Sequence, residues 1–145
     1  MKYLQGKYKV RNEAKYNGDA SNVIYRSSWE LKFLVWCDNN PNVVSFSSEE
    51  IIIPYKSPVD GKYHRYFVDF MVKIKTKDNT IRTYLVEVKP KRQTQPPEIK
   101  KRITKQYINE VTTWGVNQSK WKAAIDYCLD RGWEFKILTE QDLNV

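Results

Sequence analysis

Histidine and cysteine are scarce in this chain, with one His and two Cys among 145 residues. Cys37 and Cys128 stand far apart, each within a helix-like apolar pattern, so they read as buried, reduced thiols and not as a disulfide or a metal site. His64, the only histidine, is read as non-catalytic. No apolar run approaches the roughly 18 residues of a spanning helix, and no signal-peptide pattern opens the chain. A soluble, intracellular protein is therefore expected. Internal repeats, low-complexity segments and linkers are also missing, and the length prior gives one domain large enough to bury a core. Negative charge is in short supply too. Seventeen Asp and Glu face 25 Lys and Arg, a formal net charge of +8. Such an excess favours polyanionic partners, because each phosphate contact releases condensed counterions.

What is present is a regular succession of elements. Residues 1–22 are polar and rich in Lys and Tyr, with Asn17-Gly18-Asp19 as a turn signal, and predict an irregular basic arm ahead of a domain over 23–145. Ser27 or Ser28 caps a helix over about 28–39, which Asn39-Asn40-Pro41 stops. Strands are predicted over 49–55, 63–75 and about 80–89, with Asp60-Gly61 and Lys77-Asp78-Asn79 as turns. A Gln/Thr/Pro loop at 93–97 leads to helices at about 98–114 and 119–131, the second stopping at Gly132, and a last strand follows over 133–138. The order predicts an α/β (α+β) fold, with an antiparallel meander in a central mixed sheet flanked by helices.

Strand alternation sets which side chains share a face. Arg65, Phe67, Asp69, Met71 and Lys73 are expected on one face of the second strand, with Tyr66, Val68, Phe70 and Val72 on the other. On the third strand Leu85, Glu87 and Lys89 share a face. Pairing of these strands brings Asp69, Glu87 and Lys89 together, partly buried. A salt bridge from Lys89 to Glu87 is one reading. The first helix bears on the choice. Trp29, Phe33, Trp36 and Cys37 fall on one arc that Leu34 extends; Glu30 projects inside it, while Lys32 and Asp38 lie outside. An acid there needs a partner, either a structural Arg or the other two acids. Three converging carboxylates would repel and raise their own pKa values. A hard divalent ion such as Mg²⁺ relieves this, prefers oxygen ligands and keeps positions for water and phosphate. Lys89 then orients a water and offsets charge developing on phosphate oxygens.

An acid in a strand, Glu-x-Lys closing the next and a Glu in a preceding helix resemble the PD-(D/E)xK, restriction-endonuclease-like nucleases. Asp69 matches the family's strand acid, Glu87 and Lys89 its E-x-K and Glu30 its helix acid; Val68 stands where the family's name has Pro. Five blocks extend the likeness along most of the chain: Tyr25-Arg26-Ser27-Ser28-Trp29-Glu30, Arg65-Tyr66-Phe67-Val68-Asp69, Glu87-Val88-Lys89-Pro90-Lys91, Thr94-Gln95-Pro96-Pro97 and Lys120-Trp121-Lys122-Ala123-Ala124. In that order they are similar to the head completion nucleases of T4-type tailed phages, whose core is akin to the endonuclease subunit of Tn7-type transposons.

The resemblance implies a restriction-endonuclease-like core and a DNA nuclease, endo- or exonucleolytic, using Mg²⁺ or Mn²⁺. Glu30, Asp69 and Glu87 would bind the metal, with Lys89 catalytic beside them. It implies a late assembly protein acting on packaged DNA before tail joining, in the host cytoplasm or on the virion, with head, portal or neck proteins as partners. The alternatives are a non-catalytic DNA-binding component of the neck and a junction-resolving nuclease of the same fold. Lys91, Arg92, Lys101 and Arg102 follow the Glu-x-Lys segment and are expected to contact DNA phosphates without reading sequence. The tryptophans at 29, 36, 114, 121 and 133 are read as core.

Overall fold

A computed structural model describes residues 5–145. Two short strands, β1 (Gly6–Lys7) and β2 (Ile24–Tyr25), pair antiparallel ahead of helix α1 (Ser28–Asn39). Ser27 caps α1 by accepting the Glu30 N–H at 3.2 Å. Strand β3 (Val43–Ser48) follows, then the hairpin of β4 (Ile52–Lys56) and β5 (Tyr63–Phe67). Next come β6 (Phe70–Lys75), β7 (Ile81–Val88), the long helix α2 (Lys105–Arg131), β8 (Glu134–Leu138) and a final turn of helix, α3 (Glu140–Leu143). The central sheet has the order β3-β6-β7-β8, antiparallel except that β8 runs parallel to β7. Parallel neighbours need a crossover, and α2 supplies it. The mixed α/β architecture is the one expected.

The sheet is covered on both faces. Phe70, Val72, Val86 and Val88 pack with Phe33, Leu34 and Cys37 of α1 and with Leu143 of α3. On the other face, Met71 and Leu85 pack with Trp121, Ala124 and Cys128 of α2 and with Ile53, Tyr55 and Tyr66 of the hairpin. Both thiols are buried and unpaired, and burial pushes their pKa values up. Trp121 lies in the core, whereas Trp36 is 44% exposed and stacks on Phe33, so it is not a core residue as expected.

Several elements differ from expectation. The predicted strand over 63–75 is two strands in different sheets. At the break the Val68 N–H reaches the Ile51 carbonyl at 3.0 Å, and the Asp69 carbonyl accepts the Glu49 N–H at 3.0 Å. The chain thus exchanges its partner β4 for β3 and β7, and alternation does not carry across. Tyr66 and Val68 pack with Met71 on the α2 face, opposite Phe70 and Val72. Strand β3 escaped prediction because Ser45, Ser47 and Ser48 obscure its apolar pattern. Tyr16 compensates for the burial there, its hydroxyl accepting the Ser48 N–H at 3.0 Å. Between β3 and β4, Glu49 holds a positive φ of 55°. The two helices expected over 98–131 are one. It begins only at Lys105, where Thr104 caps the Tyr107 N–H at 3.1 Å, and it ends as expected at Gly132, with φ 70°.

The first four residues of the expected arm lie outside the described residues. From Gln5 onward the segment is tied down, with Val10, Tyr16 and Val23 buried in the α1-side core. Its anchor is Asp38, which is fully buried and not outside the helix's core face as expected. Burial pushes that carboxyl's pKa up, but the Arg11 N–H at 2.8 Å, the Tyr8 hydroxyl at 2.6 Å and the Asn12 N–H at 3.0 Å outweigh it and hold it below the usual range.

Candidate active site

The partner exchange between β5 and β6 is what exposes the chemistry. Phe70 pairs with Val86, so Asp69, one residue beyond the end of β6, sits opposite Glu87 near the end of β7. Its Oδ2 accepts the Val88 N–H at 2.8 Å, which fixes the carboxyl across the strand gap. Asp69 keeps some surface in contact with solvent, yet its carboxyl is enclosed by protein. Desolvation raises its pKa well above the ordinary value, and the charges of Glu87 and then Glu30 raise it further.

Glu87 is 5% exposed and would be costly to bury without partners. It has two. The Tyr66 hydroxyl donates to Oε1 at 2.9 Å, and the Lys89 ammonium lies 3.7 Å from Oε2. Burial foremost, and then the Glu87 charge, push the Tyr66 phenol pKa up, so it remains a donor. Tyr66 was expected to point away from Asp69; the break at Val68–Asp69 turns it inward. Lys89 follows the last residue of β7, its ammonium against Glu87 and its side chain 29% exposed.

Glu30 enters from the first turn of α1. Its carboxyl pKa is raised, mainly by desolvation and further by Glu49, while hydrogen bonds from the Arg26 and Ser27 side and the Arg26 charge oppose the rise. The Arg26 guanidinium is bound to Glu49, with Nε 3.0 Å from Oε1 and a second contact at 3.2 Å. This pair borders the acids, since Glu30 and Asp69 both act on Arg26. Sequence reasoning missed it. The available signals were the Glu49-Glu50 doublet beside a strand and an Arg four residues before Glu30.

Among the described residues, no three His, Cys, Asp or Glu side chains are spaced to enclose a metal ion. Asp69 and Glu87 nevertheless suit a hard divalent cation. Mg²⁺ does not require an all-protein cage; one or two carboxylates suffice when waters and a substrate phosphate complete its octahedron. Two repelling, desolvated carboxylates beside a solvent-facing edge provide that partial set, and a cation between them would reverse the upward pull on Asp69.

The basic residues predicted to meet DNA fall on two segments. Lys91 and Arg92 sit on an exposed 3-10 turn immediately after Lys89, held where the Lys91 N–H bonds to Glu140 at 2.8 Å. Lys101 and Arg102 are exposed too, but on the irregular segment before α2 and not on a helix as expected. His64 lies on the β4–β5 hairpin, 2.8 Å from Asp60.

The model of a family described as TnsA-like endonuclease N terminal matches residues 40–140, a span that holds Asp69, Glu87 and Lys89 and begins after Glu30. The chain is 42% identical over 142 residues to the head completion nuclease of Enterobacteria phage T4, covering 95% of this chain and 92% of that protein. No solved structure matches it.

Proposed function

The chain belongs to the TnsA-like endonuclease family, and from that premise we propose that it is a metal-dependent DNA nuclease whose centre is Asp69, Glu87 and Lys89, completed by Glu30. The observation that carries the reading is the desolvated Asp69 carboxyl held against buried Glu87, with the Lys89 ammonium 3.7 Å from the latter. Asp69 and Glu87 would hold Mg²⁺, or Mn²⁺ in its place, with Glu30 adding charge from α1. When bound, such an ion polarises the phosphate and acidifies a water.

The protein's own groups do the rest. Tyr66 holds Glu87 by its Oε1, leaving Oε2 directed toward Lys89. The Val88 N–H fixes one oxygen of Asp69 and so orients the other. Lys89, its ammonium beside Glu87 and its side chain partly exposed, would donate to the attacking water and stabilise charge developing on the phosphate oxygens as the ester is hydrolysed. Lys91, Arg92, Lys101 and Arg102 steady the DNA backbone around the site. By analogy with its relative, the chain would act in head completion, trimming or cleaving packaged phage DNA before tail joining, beside head, portal or neck proteins in the host cytoplasm.

The test is cleavage of plasmid DNA in Mg²⁺ by wild type, Lys89→Ala and Asp69→Ala. Wild type should cut, and each substitution should reduce cutting by about 10²-fold or more while circular dichroism shows an intact fold. A wild-type protein that binds DNA but stays inert in both Mg²⁺ and Mn²⁺ would instead be a structural DNA-binding component. Preferential cutting of branched DNA would place it with junction-resolving nucleases.

A further inference from the structure

Between the loop that leaves Lys89 and the first half of α2 lies a cavity of 660 Å³, lined by none of Glu30, Asp69 and Glu87. That volume falls within the range of small-ligand sites. Arg92 and Gln95 line it from the loop; Asn109, Thr113, Trp114 and Asn117 line it from one stripe of α2. Its chemistry differs from the basic surface around it, being dominated by neutral amides and an indole.

Asn117 is the telling residue. It is only 6% exposed, its side chain lines the cavity, and it makes no side-chain hydrogen bond among the described residues. Its amide is not sealed off, the one enclosed unpartnered side-chain atom among the described residues being Trp121 Nε1, so the Asn117 amide is open to water and a ligand with matching donors and acceptors can take that water's place. Trp114 meets the edge of Trp121, their ring centroids 6.3 Å apart, which holds its indole in place at the wall.

We infer that this cavity binds an unpaired nucleobase of the DNA strand cut at the neighbouring acids. The inference rests on the nuclease reading of that site. Amides offer the donor and acceptor pairs that base edges match, and an indole offers a stacking surface for any base. A phosphate alone would be better served by cations. Arg92 stands at the junction, three positions after Lys89 and on the wall of the cavity. It can hold the backbone where the strand passes from the acids into the cavity. A base inside a duplex cannot present its Watson–Crick edge there, so the site selects frayed, tailed or single-stranded positions.

The test is equilibrium binding in EDTA, without cleavage, of a blunt duplex and of the same duplex with a short unpaired tail carrying 2-aminopurine. Wild type should bind the tailed DNA roughly tenfold more tightly and quench the 2-aminopurine by stacking. Asn117→Leu and Gln95→Ala should each erase most of that preference and the quenching, with blunt-duplex affinity unchanged. That unchanged affinity is also the control for folding. Gln95 is exposed on the loop, so its variant carries the test if Asn117→Leu does not fold. Equal affinity for both DNAs, or variants that keep the preference, would overturn the base site while leaving the nuclease reading intact. Absence of binding to either DNA would also overturn the base site, whereas the nuclease reading stands or falls on cleavage in Mg²⁺.

Discussion

Asp69 carries the largest electrostatic tension in the site. Its carboxyl is more readily protonated in the folded chain than in the unfolded one, because burial comes first and the Glu87 and Glu30 charges add to it. The sign follows from linkage. Between the unfolded and folded pKa values the folded state binds more protons, so this residue's contribution to stability falls as pH rises through that window. In EDTA, Asp69→Asn should therefore be more stable than wild type at pH 8, by on the order of 1–2 kcal/mol, and the gap should close at acidic pH. Asn keeps an oxygen to accept the Val88 N–H, so the fold is retained while cleavage is lost. Thermal unfolding of both proteins across pH 5–8 checks it, and a wild type that is the more stable at pH 8 would contradict it. On the proposed metal-dependent reading, stability would be given up at this acidic pair in exchange for function.

At the scale of elements, the long helix α2 positions the most. Two helices are expected over about 98–114 and 119–131, with Gly115 in the gap between them, and no break exists there. Glycine weakens a helix interior through its freedom in the unfolded chain, but packing overrides that cost when the flanking turns are anchored. Here Trp121, Ala124 and Cys128 seat the second half against the sheet. A Cβ at position 115 would meet only Pro58 Cγ, at 3.7 Å, an ordinary contact. Gly115→Ala should therefore stabilise the protein by about 0.5–1 kcal/mol, read from urea unfolding at an unchanged m-value. A loss of stability would mean that the space beside Pro58 is tighter than this contact implies. The opposite kind of surprise occurs at Val68–Asp69, where a continuous β-like run breaks. A single strand cannot pair with β4 and also with β3 and β7, so the chain changes partners and leaves Asp69 at the gap.

For the molecule as a whole, charge governs the encounter with DNA. A net charge of +8 is spread over many Lys and Arg, among them the exposed Lys91, Arg92, Lys101 and Arg102. The logarithm of the affinity for duplex DNA should fall linearly with the logarithm of salt concentration. Lys101→Ala and Arg102→Ala should each weaken binding to any sequence about equally and lower the slope by about one. Titration by fluorescence anisotropy at several salt concentrations measures both. A slope unchanged by these substitutions would remove that segment from the DNA path.

The division between sequence and tertiary structure runs along the range of the interactions involved. Helix α1 with its Ser27 cap, the end of α2 at Gly132 and strand β7 were readable because caps, glycine and strict alternation act within a few residues. The same local logic picked out Asp69, Glu87 and Lys89 as a group, since adjacent strands of a hairpin must bring their ends together. Non-local choices were not readable. Whether residues 63–75 stay one strand depends on which partners bond Val68 and Asp69. Burial of Asp38 depends on an arm whose N–H groups arrive from 26 and 27 residues away. The turn of Tyr66 toward Glu87, and the amide-lined cavity beside Lys89, follow in the same way from packing. The sequence by itself determined which candidate groups stand in the Asp, Glu-x-Lys order, because their identities and order are covalent. Only the tertiary structure decided how deeply each is desolvated and what it faces, because those properties belong to neighbours brought in from elsewhere in the chain.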